Sequence, residues 1–572
     1  MLAVLALNPE KKLAGILAPV FALRGSEDLG IGDTEALKEF VTWAASHGFG
    51  AVQILPVNET GNDSSPYNLL SAFALEPSTI AATPRAIPEL DEVSFNKVLS
   101  DHNVRSLQEG RVQYGPVKAL KNELLQAAFA NFQAKPDKKR AKAFLDFQKE
   151  NADWLADYSF HRALVRWNNT EIVTDWPPEH RSPMAAQAWA DKLDSAARKK
   201  LDLSRKYYAF IQWIAYDQWL AVRQHAEAAG VALIGDVPVG VSLFSADVWR
   251  EPAIFDPVRS SGAPPEKVFK SDPFTEQWGQ NWGFPLYAWE RMSQDNFSWW
   301  RRRLRLLKEF FHLLRVDHAL GFFRIYSFPW RPEENAKFID LTPEQAAAIT
   351  QGPLPCFVDR DDSTEENREF NRLHGEMILK VFIEEMGEHL LIAEDLGEVA
   401  PYVRPTLAKL EVPGFKIPQW ERDWDRLIKG SEYPRLSLAT FATHDHPPIK
   451  KHWTALYTDA LSEDAKTRDT AIHAMWELMD FCGHPDLKLP QPYTEEIHQI
   501  FVKGLFASNS WLAVHMITDL LGTDEQYNVP GSAGDMNWTQ RMNDPVARLN
   551  EVWAGVLPAI ESAVTETERR AI

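Results

Sequence analysis

Apolar runs of strand length recur along the chain, most of them separated by stretches with helical spacing. The first runs from Leu13 to Val20 and is followed by a Gly-rich turn. Asp33 then stands where it can cap a helix that carries Leu37, Phe40, Val41 and Ala44 on one face, with Gly48 beyond its end. Ala51-Val-Gln-Ile-Leu-Pro56 is a second strand, so the chain opens on the strand–helix–strand unit that seeds a parallel sheet. The alternation stops for about 170 residues between Val57 and Gly230, too long for an ordinary connection. Val117–Ala134, Lys138–Phe160 and Ala185–Ala229 are rich in Ala, Leu, Lys and Glu, so residues 57–230 read as a mainly helical insertion after strand two.

The sheet resumes at Val231-Ala-Leu-Ile-Gly-Asp-Val237, strand three. Residues 238–311 then predict a loop-rich insertion that covers the end of the sheet, and Arg301-Arg-Arg303 within it reads as the solvated face of a helix. Strand four lies in His312-Leu-Leu-Arg-Val-Asp-His318, five in Glu388–Gly397, six in Pro413–Pro418, seven in Ser437–Asp445 and eight in Trp511–Asp519. Helical segments fill the gaps, as at Leu373–Met386 and Ile472–Phe481, and 546–572 predicts a closing helix. Eight strands alternating with helices imply an α/β fold, a (β/α)8 barrel with large helical insertions in the strand–helix loops, elaborated as one catalytic domain over residues 1–572.

Composition narrows the function. A net charge of −19 argues against a nucleic-acid backbone as partner. No apolar run approaches the length of a membrane span, and the leading MLAVLALNPEKK is too short for a signal peptide. With only Cys356 and Cys482 a disulfide framework is excluded, so a reducing cytoplasm is the expected location. Most of the 21 Trp, 31 Phe and 13 Tyr belong to the core, but an excess of Trp also suits stacking on the flat faces of sugars.

The chemistry gathers at the strand ends, which share one rim in such a barrel. Asp236, Asp317, Glu394 and Asp445 close strands three, four, five and seven. One acid in such a place reads as an ion-pair partner, whereas four at matching positions serve either a metal or a glycosidic bond. His318, His444, His446 and His452 keep a metal in view, yet no His-x-Glu-x-x-His or comparable ligand spacing appears, so neither metal nor cofactor is expected. Glycoside chemistry needs one ionised carboxylate and one that keeps its proton. Arg315 and Asp317 alternate along strand four and share a face, where the cation would hold Asp317 ionised as nucleophile. Glu394, without so close a cation in sequence, is the better acid. Adjacent strands four and five suit the roughly 5–5.5 Å carboxyl separation of a retaining mechanism.

Several segments occur together in one order: Gly30-Ile-Gly-Asp33, Ser65-Pro-Tyr67, Ser71-Ala-Phe-Ala74, Gly235-Asp-Val-Pro238 and Ser245-Ala-Asp-Val-Trp249. Gly279-Gln-Asn-Trp-Gly-Phe-Pro285, Arg315-Val-Asp-His318, Ala393-Glu-Asp-Leu-Gly397 and Thr443-His-Asp445 follow. In these the chain resembles the 4-α-glucanotransferases of the amylomaltase (disproportionating enzyme) type, relatives of the α-amylases. The resemblance implies transfer of α-1,4-glucan segments from a maltooligosaccharide donor to a glucan or glucose acceptor, with no nucleic-acid or membrane partner. It implies Asp317 as nucleophile, Glu394 as acid/base and Asp445 as a third carboxylate gripping sugar hydroxyls. Tyr67, Asp236, Arg315 and His444 would line the donor subsite. Trp282, with the loop 264–283, would close over the glucan opposite Asn528 in Asn528-Val-Pro-Gly531.

The chain departs from the family pattern after Asp445, where His446-Pro-Pro-Ile449 replaces Asn-Asp-Thr, and in a longer 264–283 loop. Both border the acceptor side. Gly321-Phe-Phe-Arg324 and Gln280–Pro285 are similar to the plant member that acts on maltose and branched heteroglycans, which points to that acceptor class. An α-glucan hydrolase, or a non-catalytic glucan-binding protein on the same scaffold, are the alternatives.

Overall fold

Each apolar run pairs with its predecessor and its successor until the sheet closes on itself. The computed structural model describes residues 5, 7–135, 137–265, 272–530 and 536–570. Eight parallel strands, Leu13–Leu17, Ala51–Gln53, Ala232–Val237, Leu313–Val316, Leu391–Ala393, Gly414–Lys416, Ser437–Ala439 and Leu512–Met516, form a closed barrel in chain order. The expected (β/α)8 barrel is the observed fold. Parts of the two loops expected over the cleft, 266–271 and 531–535, lie outside the described residues. Among the described residues no helix is long and apolar enough to cross a membrane.

Register does the positioning. Across strands three and four Asp236 is opposite Arg315 and Val237 opposite Val316, while across four and five Val316 is opposite Ala393. The next residues along strands four and five are Asp317 and Glu394. Their N–H groups continue the ladder onto the Val237 and Val316 carbonyls at 3.0 and 3.1 Å. The pairing that buries the apolar face therefore also sets the two carboxyl groups side by side.

Helices wrap the outside. Asp33 caps helix Thr34–Ser46, its Oδ1 accepting from the N–H groups of Glu35 and Ala36 at 3.1 Å. The helical stretch expected over 185–229 consists of two helices, Pro183–Ala190 and Ser195–Ala228, the second capped by Asp194. Two glutamines of the longer helix stitch the loop after strand two to the barrel. Gln212 bonds both the N–H and the carbonyl of Leu75, and Gln218 does the same to Ala81. From the other side, Asp247 accepts from Ala72 N–H at 2.9 Å. The loop that carries Tyr67 is thus clamped at its base.

Two features correct the sequence reading. Residues 255–263 and 280–287, read as loop, are strands that join 325–328 and 356–358 in a four-stranded antiparallel sheet beside the barrel mouth. Pro257, Gly262, Gly283 and Pro285 hid them, since these residues argue against a regular ladder. Here register shifts between Asp256 and Gly262 accommodate the irregularity. The Arg301-Arg-Arg303 triplet is not a solvated face. In helix Ser298–Phe310, Arg301 pairs with Glu384 and Glu385, while Arg303 turns inward and is wholly buried over the Trp300 and Trp299 rings, 4.9 and 5.5 Å from their centroids.

Gly235 precedes Asp236, and a Cβ there would stand 2.4 Å from the Phe311 ring. Gly235→Ala is expected to cost about 1–3 kcal/mol in urea unfolding by overpacking. Stability within about 0.5 kcal/mol of the parent would show that strand three yields without strain.

Candidate active site

The strand ends open into a cleft of about 910 Å³, large enough for several sugar units. Tyr67, Trp282, Arg315, Asp317, Glu394, His444, Asp445 and Asn528 line it. Asp236 sits one layer below, its side chain fully buried. It reaches the wall through Arg315 and Tyr67.

Arg315 is the hub. Its Nη1 lies 2.8 Å from both Asp236 oxygens and 3.0 Å from Asp317 Oδ1. Burial works against the cation, yet the carboxylates, Asp236 foremost, keep the guanidinium firmly charged. Tyr67 donates its hydroxyl to Asp236 at 2.8 Å. Burial and that carboxylate raise its phenol well above the usual range, so it remains a neutral donor. The sequence singled out Arg315 as the partner of Asp317, and the structure shows its larger share going to Asp236.

Glu394 differs. Burial pushes its carboxyl up to about 8; the Arg315 charge and the His318 N–H oppose this, and the Asp317 charge adds to it. The His318 N–H, 2.8 Å from Oε2, is delivered by a left-handed residue with φ of 42° that ends strand four. Asp445 goes the other way. Burial alone would raise it, but His444 at 3.2 Å and the Asn528 amide at 2.6 Å hold it well below the usual carboxylate range. Three acids on one rim are therefore held in unlike environments.

The profile of the 4-alpha-glucanotransferase family matches residues 18–547. The chain belongs to the 4-alpha-glucanotransferase family. A 4-alpha-glucanotransferase of Chlamydia caviae is 28% identical over 553 residues, covering 94% of this chain and 91% of that one. The 4-alpha-glucanotransferase DPE2 of Oryza sativa subsp. japonica is 37% identical over 326 residues, 55% of this chain and 32% of the rice protein. Amylomaltase from Streptococcus agalactiae, solved in complex with acarbose, superposes with a TM-score of 0.73 at 22% identity over 98% of this chain and all of that one.

The walls of this glucanotransferase are aromatic. Tyr67 stacks on His444 with centroids 5.2 Å apart, and Trp538 leans on both rings at 5.7 Å. Trp282 meets the His318 ring edge-on at 4.8 Å. Asn528 donates its N–H to the His444 carbonyl, which fixes the loop bearing the Asp445 partner. Sequence reasoning passed over Trp420, half exposed in the cleft after strand six, although its place just past a strand end was a usable signal. It also missed the His318 N–H, which no side-chain pattern announces. Among the described residues no three His, Cys, Asp or Glu side chains converge as metal ligands.

Removing the hub leaves buried carboxylates without a cation. Arg315→Leu is expected to destabilise the protein by about 3–5 kcal/mol near neutral pH. Burial already raises Asp236, and without the cation its folded value rises further above the unfolded one. The lost stability is then partly regained as pH falls, which thermal unfolding at about pH 7 and about pH 5 checks. Equal deficits at both pH values would exclude a charge origin.

Proposed function

We propose that the enzyme transfers α-1,4-glucan segments with retention, through a covalent glycosyl-enzyme on Asp317, with Glu394 as acid/base and Asp445 as the third carboxylate. The unlike state of the neighbouring carboxyl groups carries this reading. Glu394 is pushed up to about 8, while Asp317 keeps an oxygen 3.0 Å from the Arg315 guanidinium. First, an Asp317 oxygen bonds the anomeric carbon as the glycosidic C–O bond breaks, and Glu394 gives its proton to the leaving oxygen. Then the Glu394 carboxylate takes the proton of the acceptor 4-hydroxyl, whose oxygen displaces Asp317. Asp445, held by His444 and Asn528, faces the donor sugar as a fixed acceptor of its hydroxyl hydrogen bonds.

Maltooligosaccharides are the donors and a glucan or glucose the acceptor in this reading. The insertions at 57–230 and 238–311 belong to one catalytic domain, the second covering the cleft with Trp282 opposite Asn528. The cytoplasm is the proposed location, supported by two cysteines that are both free.

Incubation with maltotriose is expected to give glucose together with dextrins longer than the substrate. Glucose and maltose alone would establish a hydrolase and overturn transfer. Because the first step needs the Glu394 proton, the initial rate is expected to decline as pH rises through about 8. Glu394→Gln and Asp317→Asn should each lower turnover by roughly a hundred- to ten-thousand-fold. Unchanged turnover in either would relocate the site or leave a glucan-binding protein.

A further inference from the structure

His446 lines the cleft beside Asp445, yet the steps above leave it without a task. Its geometry gives it one. The Thr443 N–H points at His446 Nδ1 at 3.3 Å, and a backbone N–H can only donate, so Nδ1 is the unprotonated ring nitrogen. Thr443 Oγ1, 2.7 Å away, donates to the same nitrogen while accepting from the Asp445 N–H. The ring proton is therefore on Nε2, which has no hydrogen-bond partner among the described residues. Burial, against the pull of the Asp445 carboxylate and with the His444 and Arg315 charges, brings the ring down to about 4. His446 is thus a neutral donor of fixed tautomer.

The backbone holds this donor in place. Pro447 confines His446 to extended conformations, and Pro448 precedes helix Ile449–Ala460. That helix has no cap of its own. Asp519, in the helix Ile517–Leu521 that follows strand eight, accepts the Ile449 N–H at 2.6 Å instead.

The location then decides the role. Asp236, Arg315 and Asp317 belong to strands three and four, Glu394 follows strand five, Trp420 follows six and His446 follows seven. In a retaining reaction the leaving group departs on the flank of the acid, and the acceptor returns to it. Trp420 and His446, with ring centroids 4.7 Å apart at 71°, form one wall of the cleft beyond Glu394 in the strand order.

We propose that His446 selects the acceptor: its Nε2–H donates to a hydroxyl of the incoming sugar on the Trp420 wall and holds the 4-hydroxyl towards Glu394. This rests on the assignment of Glu394 as acid/base and of Asp317 as nucleophile.

His446→Phe keeps a ring against Trp420 and removes the donor, whereas His446→Gln keeps a donor. Attack by Asp317 is read from first-turnover fluoride release with maltotriosyl fluoride, a leaving group that needs little help from an acid. Acceptor use is read from the KM for maltose and from the share of intermediate lost to water. In the Phe variant the maltose KM is expected to rise roughly three- to tenfold, with more hydrolysis, and the Gln variant should recover much of it. The effect should fall on acceptor KM and not on the fluoride burst. One monodeoxy maltose should lose a comparable factor with the parent enzyme and lose nothing further with the Phe variant. A maltose KM within about twofold of the parent, with no deoxy acceptor singled out, overturns the proposal. So does a fluoride burst that falls in step with acceptor use, which marks a merely structural residue. A normal burst from Asp317→Asn would instead sink the underlying catalytic assignment, whatever His446 does.

Discussion

A single guanidinium nitrogen, Arg315 Nη1, touches three carboxylate oxygens, two on Asp236 and one on Asp317. In a buried setting this leaves the strand-four end with two anions against one cation. Charges in such a place are tolerated only when paired and hydrogen-bonded, and Tyr67 supplies the extra donor to Asp236. One negative charge remains in excess. A further carboxylate beside it would add like-charge repulsion to its own desolvation, so Glu394 keeps its proton. The proposed acid thus owes its proton first to burial, with the Arg315 charge opposing this and the Asp317 charge adding to it. Asp445 escapes the constraint because its chain neighbour His444, and Asn528 from the loop after strand eight, attend to it.

The insertions matter because they deliver donors to that cluster. Tyr67 comes from the loop after strand two, whose base is held by Gln212 and Gln218 of helix Ser195–Ala228 and by Asp247. Its ring then stacks on His444 and Trp538, so loops after strands two, seven and eight meet in one aromatic contact. Side chains that do not line the cleft therefore bear on the Tyr67 hydrogen bond to Asp236. In a closed barrel such coupling is short, since every loop returns to the same rim.

What the sequence made legible follows the same physics. Strands betray themselves by apolar runs, and a carboxylate ending such a run is conspicuous because burial forbids it without a reason. Asp236, Asp317, Glu394 and Asp445 stand out in the sequence for this reason. Register is silent in a single sequence, so the placement of Asp236 opposite Arg315, and with it the main partner of the cation, appears only in the folded sheet. The inserted sheet was masked by Pro257 and Pro285, which local rules assign to loops. Arg303 read as solvated because a basic triplet usually is, yet helical spacing carries it inward onto Trp299 and Trp300. His318, whose N–H reaches Glu394, contributes through backbone conformation, which side-chain chemistry does not encode.

Transfer instead of hydrolysis poses a physical question that the cleft volume sharpens. A space of about 910 Å³ admits water freely until a glucan fills it, so an empty dry site is not what protects the intermediate. Orientation has to do that work, and it suffices. Well-aligned reacting groups behave as if present at effective concentrations of about 10⁵–10⁸ M, far beyond what bulk water offers. An acceptor wall serves this end only if its polar groups aim the hydroxyl without removing its proton. The His446 ring, with Nδ1 occupied by Thr443 and its proton on Nε2, donates into the cleft and does not accept. In the proposed mechanism it therefore leaves the acceptor's proton to Glu394, the group that gives one up in the preceding step.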